Sequence, residues 1–354
     1  MTAVCARGRE WLFGTALPLW AARGRDPASG MMYEALDFAA HDAGLPEVRS
    51  RVQARQVYVF ASAGAAGWPD GVAIAESAYD FMRAAAWDDE TGWAGRIDRR
   101  GKATESAGDL YDQAFALLAQ AALFAATGDR QVRAHIDETL GFIDTHLAHP
   151  AGGCCENLDR QTPRRQNPHM HLLEAFLALH AATGAAVFSA RAEGMGVLFD
   201  QHFLCAESGV LGEFFTDDWR LAEAAPEPGH HFEWAYLLTA LHAAGGGDRR
   251  KQSRTLYETG RAHGLTSDGF AKDKAGGAGC GRRLWPQTEA YRAYRLYADD
   301  GECAAFRDRL FDSYLAAPVG GLWVDAFTHD GQPAAPHVPA STLYHLWTGF
   351  MSHA

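Results

Sequence analysis

Apolar residues recur along this chain at spacings of three and four, while strict alternation with a period of two is weak throughout. Runs rich in Ala, Leu, Phe and Tyr, bounded by Gly, Pro and Asp, predict about twelve helices. They fall near 7–23, 49–63, 70–86, 109–126, 130–148, 167–183, 185–203, 228–244, 248–263, 286–298, 301–316 and 339–352. The connections alternate. Short turns such as Thr127-Gly128-Asp129, Thr183-Gly184 and Gly245-Gly246-Gly247-Asp248 follow even helices; long connections rich in Gly, Pro, Asp and Trp follow odd ones. A near-regular repeat of helix pairs is the mark of a solenoid or of a closed ring. The even helices are apolar on most faces, as in Ala114-Phe115-Ala116-Leu117-Leu118, and so suit an inner position. The odd helices carry more charge, as between Arg249 and Arg261. An open solenoid needs a polar last repeat, yet the last helix carries Leu343, Tyr344, Leu346, Trp347 and Phe350. The pattern therefore predicts an all-α fold, an (α/α)6 barrel of six helical hairpins, forming one domain over residues 1–354.

Composition narrows the function. The 354 residues are 47% hydrophobic and carry a formal net charge of −12, with no basic stripe for nucleic acid. The Arg-Arg pairs at 99–100, 164–165, 249–250 and 282–283 are scattered and read as solvated surface. The longest apolar stretch, Ala114 to Ala126, is broken by Gln120 and is too short to cross a bilayer. The N-terminal stretch with Cys5, Arg7, Arg9 and Glu10 lacks the apolar region of a signal peptide. Six cysteines, at 5, 154, 155, 205, 280 and 303, form no Cys-x-x-Cys pair, so the expectation is a reduced, cytoplasmic protein without structural zinc.

Candidate chemistry collects at the starts of the even helices. The fourth opens with Tyr111-Asp112-Gln113, the sixth with Asn167-Pro168-His169-Met170-His171-Leu172-Leu173-Glu174, and the eighth with Pro228-Gly229-His230-His231-Phe232-Glu233. The tenth opens with Trp285-Pro286-Gln287-Thr288-Glu289, and the twelfth reaches His345 after Pro339. In a closed ring with parallel inner helices these side chains meet at one mouth. Asn167, His171 and Glu174 share one helix face by spacing, as do His230 and Glu233. Helix N-termini around such a mouth favour neutral histidine and stabilise a developing oxyanion without a metal. His169 and His171 are two apart and point to different sides, which argues against a metal pair. His180 and His242 read as core or surface residues. Glu289 reads equally as a carboxylate serving the helix start, and the tryptophans near the loops as sugar platforms or as loop closures. Lys272-Asp273-Lys274-Ala275-Gly276-Gly277 is the nearest approach to a phosphate loop and lacks the Walker ending.

These pieces resemble the N-acylglucosamine 2-epimerase superfamily, and within it the mannose isomerase branch. The matching residues are Arg55 in Ala54-Arg55-Gln56-Val57-Tyr58, Asn167-Pro168-His169-Met170-His171 with Glu174, Pro228-Gly229-His230 with Glu233-Trp234, Trp285-Pro286-Gln287-Thr288-Glu289, and Ser341-Thr342-Leu343-Tyr344-His345. The resemblance implies proton transfer beside a sugar carbonyl, with His230 and His345 as the acid/base pair. Glu233 would orient and tune His230, and His171 would join the catalytic set. Arg55, Tyr111, Asn167, Glu174, Arg220, Trp285 and Gln287 would bind substrate, with Arg220 and Trp219 in a loop over the mouth. It implies a monosaccharide partner and no cofactor or metal, and it admits a homodimer. The expected reaction is aldose–ketose isomerisation of mannose/fructose type through a cis-enediolate. Alternatives are 2-epimerisation of N-acetylglucosamine or a free aldose, a silent sugar-binding barrel, and a glycosidase. The last needs two carboxylates across the bond, where this mouth is rich in histidine.

Overall fold

Helices occupy each of the expected stretches. The computed structural model describes residues 5–223, 226–275 and 281–352. Cys280 and the Gly276-Gly277 end of the phosphate-loop candidate lie outside these described residues. Helix α1 runs through Ala6–Trp11, a wider turn at Leu12–Ala16, and Leu17–Arg23. It is followed by α2 (Ser50–Ala65), α3 (Gly71–Ala86), α4 (Leu110–Thr127) and α5 (Arg130–Phe142, widening over Ile143–Leu147). Then come α6 (Gln166–Thr183), α7 (Ala186–Leu198, widening over Phe199–Phe203) and α8 (Pro228–Ala243). The last four are α9 (Arg250–Gly264), α10 (Leu284–Tyr297), α11 (Asp300–Ser313) and α12 (Thr342–Met351).

Local chemistry sets the ends. Asp109 caps α4 by accepting the Tyr111 N–H, and Gly128, at a φ of 66°, terminates it in the left-handed region that favours glycine. Asp129 then caps α5, which makes the short turn between them. Pro228 sits in the first turn of α8, where its missing N–H costs nothing.

The even helices form the inner ring. Each packs against the next, and α12 packs back on α2, closing the circle. Across that closure the Gln56 amide donates to the Ala340 carbonyl at 2.7 Å. Each odd helix packs outside an even one. Burial follows: α4 is buried over most of its circumference, whereas α9 buries only Ser253, Leu256, Tyr257, Gly260 and Gly264.

The long connections hold short antiparallel pairings that the helical periodicity did not reveal. Arg164–Arg165 pairs with Phe214–Phe215, which pairs with Leu221–Glu223; Arg282–Arg283 pairs with Ala326–Phe327, and Ala35–Leu36 with Val338–Pro339. Each links the approach to one inner helix with the loop before another, so the loops brace one another around the mouth.

A second device fixes these loops. The fourth residue of α2, α4 and α10 is a glutamine whose amide takes both the N–H and the C=O of one loop residue. Gln53 holds Met32 (2.8 and 2.7 Å), Gln113 holds Trp93 (3.1 and 3.0 Å), and Gln287 holds Ala271 (2.7 and 2.7 Å). In α6 and α8 a histidine stands at the same place: His169 Nε2 accepts the Cys154 N–H at 2.9 Å, and His231 Nε2 accepts that of Leu211 at 3.1 Å. Their other ring nitrogens lie 3.0 and 3.3 Å from the Arg165 and Glu227 carbonyls, which fixes the tautomer.

In two of the arginine pairs the first member is buried, while Arg250 is exposed as expected. Arg164 is 1% exposed and Arg249 5% exposed. Arg249 bridges Glu193 and Asp200, while Arg164 donates to the Gly152, Cys154 and Asp217 carbonyls and lies 3.5 Å over the Trp219 ring.

Candidate active site

Five inner helices begin in the same phase, so their sixth residues come to one level of the ring. These are Arg55, Phe115, His171, Glu233 and Glu289. One helical turn deeper stand Tyr58, Leu118, Glu174, Tyr236 and Arg292. A cleft of about 400 Å³ opens onto the upper level. Arg55, His171, Glu233 and His345 line its floor; Tyr111, Asn167, His230 and Trp285 form its walls; Arg49, Glu227, Arg283 and Asp325 stand at the rim with Ser341 and Thr342. The mouth expected at the even-helix starts is therefore present.

Each histidine of the cleft has Nδ1 on a buried carboxylate. His171 Nδ1 lies 3.2 Å from Glu174, His230 Nδ1 2.9 Å from Glu213, and His345 Nδ1 2.8 Å from Glu289. Such a bond fixes the ring and leaves Nε2 for chemistry. The carboxylate on His230 is thus Glu213, not Glu233; the tuning role expected for Glu233 is corrected. Glu213 also accepts the Gln166 amide and the Glu227 N–H. It was missed because it lies in the loop before α8, outside the helical pattern. Its one sequence signal is a carboxylate set among Val210, Leu211, Phe214 and Phe215.

The two candidate proton-transfer groups differ in charge. Burial opposes charge on His230, but the Glu213 carboxylate outweighs it and raises the imidazole above its usual 6.5. Burial wins at His345 and pushes it down to about 4, against the pull of Glu289. Glu289 is itself shared: it also receives Arg292 at 2.6 Å, so less of its charge reaches His345. His171 is lowered by burial, with Glu174 partly offsetting it. Both rings of the pair lie against Trp285, with centroids 5.1 Å (His230) and 5.6 Å (His345) away.

Arg55 donates to the Tyr111 hydroxyl at 2.9 Å and lies 4.2 Å over the Phe115 ring. Asn167 lines the cleft with a buried Oδ1 that meets no donor. Glu174, expected to bind substrate, is corrected: it lies beneath the lining, bonded to His171 and to the Tyr344 hydroxyl.

Three further expectations are corrected. Gln287 is fully buried as a loop clamp and faces no substrate. Arg220 has an 83% exposed side chain paired with Asp218 and does not line the cleft. Trp219 is packed on Arg164 and His169 instead of covering the mouth. Glu289, read as equally a helix-start carboxylate, is the partner of His345.

Among the described residues, two groups of potential metal ligands converge within 4.8 Å: His171/Glu174/Glu233 and Glu233/Glu289/His345. Glu174 and Glu289 are already engaged by imidazole, phenol or guanidinium, and both imidazoles use Nδ1 on them. The histidines, Glu174 and Glu289 are thus held by hydrogen bonds, while Glu233, common to both groups, has an Oε1 that receives none.

Residues 33–349 match the family model for N-acylglucosamine 2-epimerase (GlcNAc 2-epimerase). A relative from Rhizobium meliloti (strain 1021) named mannose-6-phosphate isomerase is 34% identical over 364 residues, covering 95% of this chain and 93% of its own. A D-mannose isomerase from Thermobifida fusca is 32% identical over 270 residues, covering 69% of this chain and 65% of its own. The fold matches cellobiose 2-epimerase from Bacillus thermoamylovorans, with a TM-score of 0.87, 20% identity, and 97% and 98% of the two chains covered. A D-mannose isomerase structure has a TM-score of 0.83 at 17% identity, with 95% and 94% covered.

Proposed function

Since the chain belongs to the N-acylglucosamine 2-epimerase family, we propose that it is a cytoplasmic sugar isomerase interconverting an aldose and a ketose of the mannose/fructose type, without a metal or cofactor. The reading rests above all on one observation. His230 and His345 reach one cleft from different helices, each steered by its own buried carboxylate, and their surroundings shift them in opposite directions, His230 above 6.5 and His345 down to about 4.

The chemistry follows from that difference. The C2 proton of an aldose is acidic only when the ring is open and the C1 oxygen is stabilised. Neutral His345 takes that proton through Nε2. Protonated His230 and the Arg55 guanidinium stabilise the oxygen as the enediolate forms, with Asn167 and His171 holding neighbouring hydroxyls. His230 gives its proton to O1 and takes up the proton of O2, and return of the proton from His345 to C1 on the same face completes the ketose, with C2–O becoming the carbonyl and both histidines back in their starting states. Delivery to C2 from the opposite face, by His230, gives the epimer instead, so 2-epimerisation is the alternative outcome of the same residues.

The substrate is a free sugar. The rim arginines carry their own carboxylates: Arg49 bonds Glu34 at 2.6 Å, and Arg283 bonds Asp273 at 3.1 Å and Glu227 at 3.3 Å. With Asp325 beside them, the rim offers a phosphate dianion no uncommitted guanidinium among the described residues.

The test is incubation with mannose, glucose and N-acetylglucosamine, and with the 6-phosphates of each, in heavy water, with products read by NMR. Mannose should yield fructose carrying deuterium. Binding without turnover or exchange on every sugar would leave only the silent barrel, and preference for a phosphorylated sugar would overturn the free-sugar reading. Chelation with EDTA should leave turnover unchanged; loss restored by a divalent ion would refute metal independence.

A further inference from the structure

Three carboxylates meet at the cleft floor, and they are not equally provided for. Glu174 has His171 and Tyr344; Glu289 has His345 and Arg292. Glu233 lies between them, with an oxygen within 4.8 Å of ligand atoms of both pairs. It is 1% exposed, and its Oε1 is buried and receives no hydrogen bond. A buried carboxylate left in that condition is expensive, and a neighbouring like charge makes it more so.

The surroundings from each helix can be named. Arg55 comes from α2, Tyr111 from α4, His171 and Glu174 from α6, His230 and Tyr236 from α8 itself, Glu289 and Arg292 from α10, and Tyr344 and His345 from α12. His230 is matched by Glu213. Arg55 and Arg292 supply two guanidinium charges to the floor, and Arg292 is bonded to Glu289. Three carboxylates thus share two guanidinium charges, and the pull of Arg292 and Arg55 on Glu233 is outweighed. Burial, with the charges of Glu289 and Glu174 beside it, lifts the Glu233 carboxyl well above the usual carboxylate range.

We propose that Glu233 meets the substrate as a neutral carboxylic acid, donating a hydrogen bond to a sugar oxygen on the cleft floor. A neutral acid adds a donor where the other floor carboxylates only accept, without another charge in a dry site. No proton changes hands in this contact; Glu233 binds and orients. The ligand side of the proposal rests on the sugar-isomerase reading; the state of the carboxyl does not.

The experiment separates the two. Infrared spectra of the intact protein, labelled with 13C-glutamate, are taken at pH 7 without sugar. Labelling glutamate leaves the buried aspartates Asp112 and Asp325 outside the measurement. A labelled band in the protonated-carboxyl region should be present and should vanish in Glu233→Gln. Absence of any such labelled band in the wild type overturns the proposal whether or not the variant folds, and its survival in a folded Glu233→Gln protein does so too. Binding is then measured by calorimetry with mannitol, which cannot enolise. Glu233→Gln, which keeps a neutral donor, should bind within about threefold of wild type, and Glu233→Met, which has none, about tenfold more weakly. Equal losses in both variants would refute the donor role, while a protein with the expected band and no affinity for mannitol would point to failure of the sugar reading alone.

Discussion

His230 and His345 are chemically the same side chain with opposite assignments, and the difference comes from what stands behind each ring. Replacing either with Ala should lower turnover by about 10²–10⁴-fold, the usual worth of general acid–base catalysis, while circular dichroism shows an intact fold. His242→Ala, at the far end of α8, should change turnover little. The pH profile follows from the same difference. His230 acts protonated, so kcat/KM should fall as pH rises through its raised folded value, above 6.5; His345 acts neutral, so activity should fall on the acid side only toward about 4. Glu213→Gln removes the charge that raises His230, and the alkaline limb should move to lower pH with a fall in kcat. An unmoved limb would show that Glu213 does not set the His230 charge. At this scale the sequence disclosed which residues gather but not which carboxylate serves which ring. Glu233, at i+3, shares a helix face with His230, yet one turn carries it down to the floor, while a loop brings Glu213 to the ring.

The helix starts position these groups through close contacts. Gly229, in the first turn of α8, lies directly against Trp285: a Cβ there would stand 2.4 Å from the ring and 3.1 Å from Pro286. Gly229→Ala should therefore displace the platform under both histidines. Overpacking of this kind typically costs about 1–3 kcal/mol, and we expect a lower melting temperature together with at least tenfold loss of kcat/KM. The existence and order of the helices were legible because the 3.6-residue period and the Gly and Asp stops are local. The paired loop segments were not legible. Each is two or three residues long, and its partner lies far along the chain, as when Arg164 pairs with Phe215. Arg164 misled for the same reason: its partners are loop carbonyls and Trp219, which no local pattern announces.

Across the whole molecule, ring closure was legible from the apolar last helix, while the cost of building a mouth from loops was not. Five of those loops hang on inner-helix clamps, and two of the clamps are histidines. Burial drives His169 down to about 3, so it is neutral when folded, and its Nε2 must stay unprotonated to accept the Cys154 N–H. The unfolded chain, with a value near 6.5, binds more protons between those limits. This contribution to stability is therefore complete above about 6.5 and is lost as pH falls toward 3, at about 1.4 kcal/mol per pH unit within that window. Glutamine does the same work in three sister helices, so His169→Gln should keep neutral-pH stability within about 1 kcal/mol. In denaturant titrations it should flatten the acid-side slope. An unchanged slope would show that His169 does not govern it.

These clamps grip only the peptide group of the loop residue they hold. Met32, Trp93 and Ala271 differ in size and character, yet the same amide pair of a glutamine secures all three. An anchor indifferent to side-chain identity uncouples the framework from the recognition surface that it carries. Loop residues facing the cleft can then be rewritten without loosening the ring, so grafting a loop between relatives of this architecture should exchange sugar preference while leaving the proton-transfer centre in place.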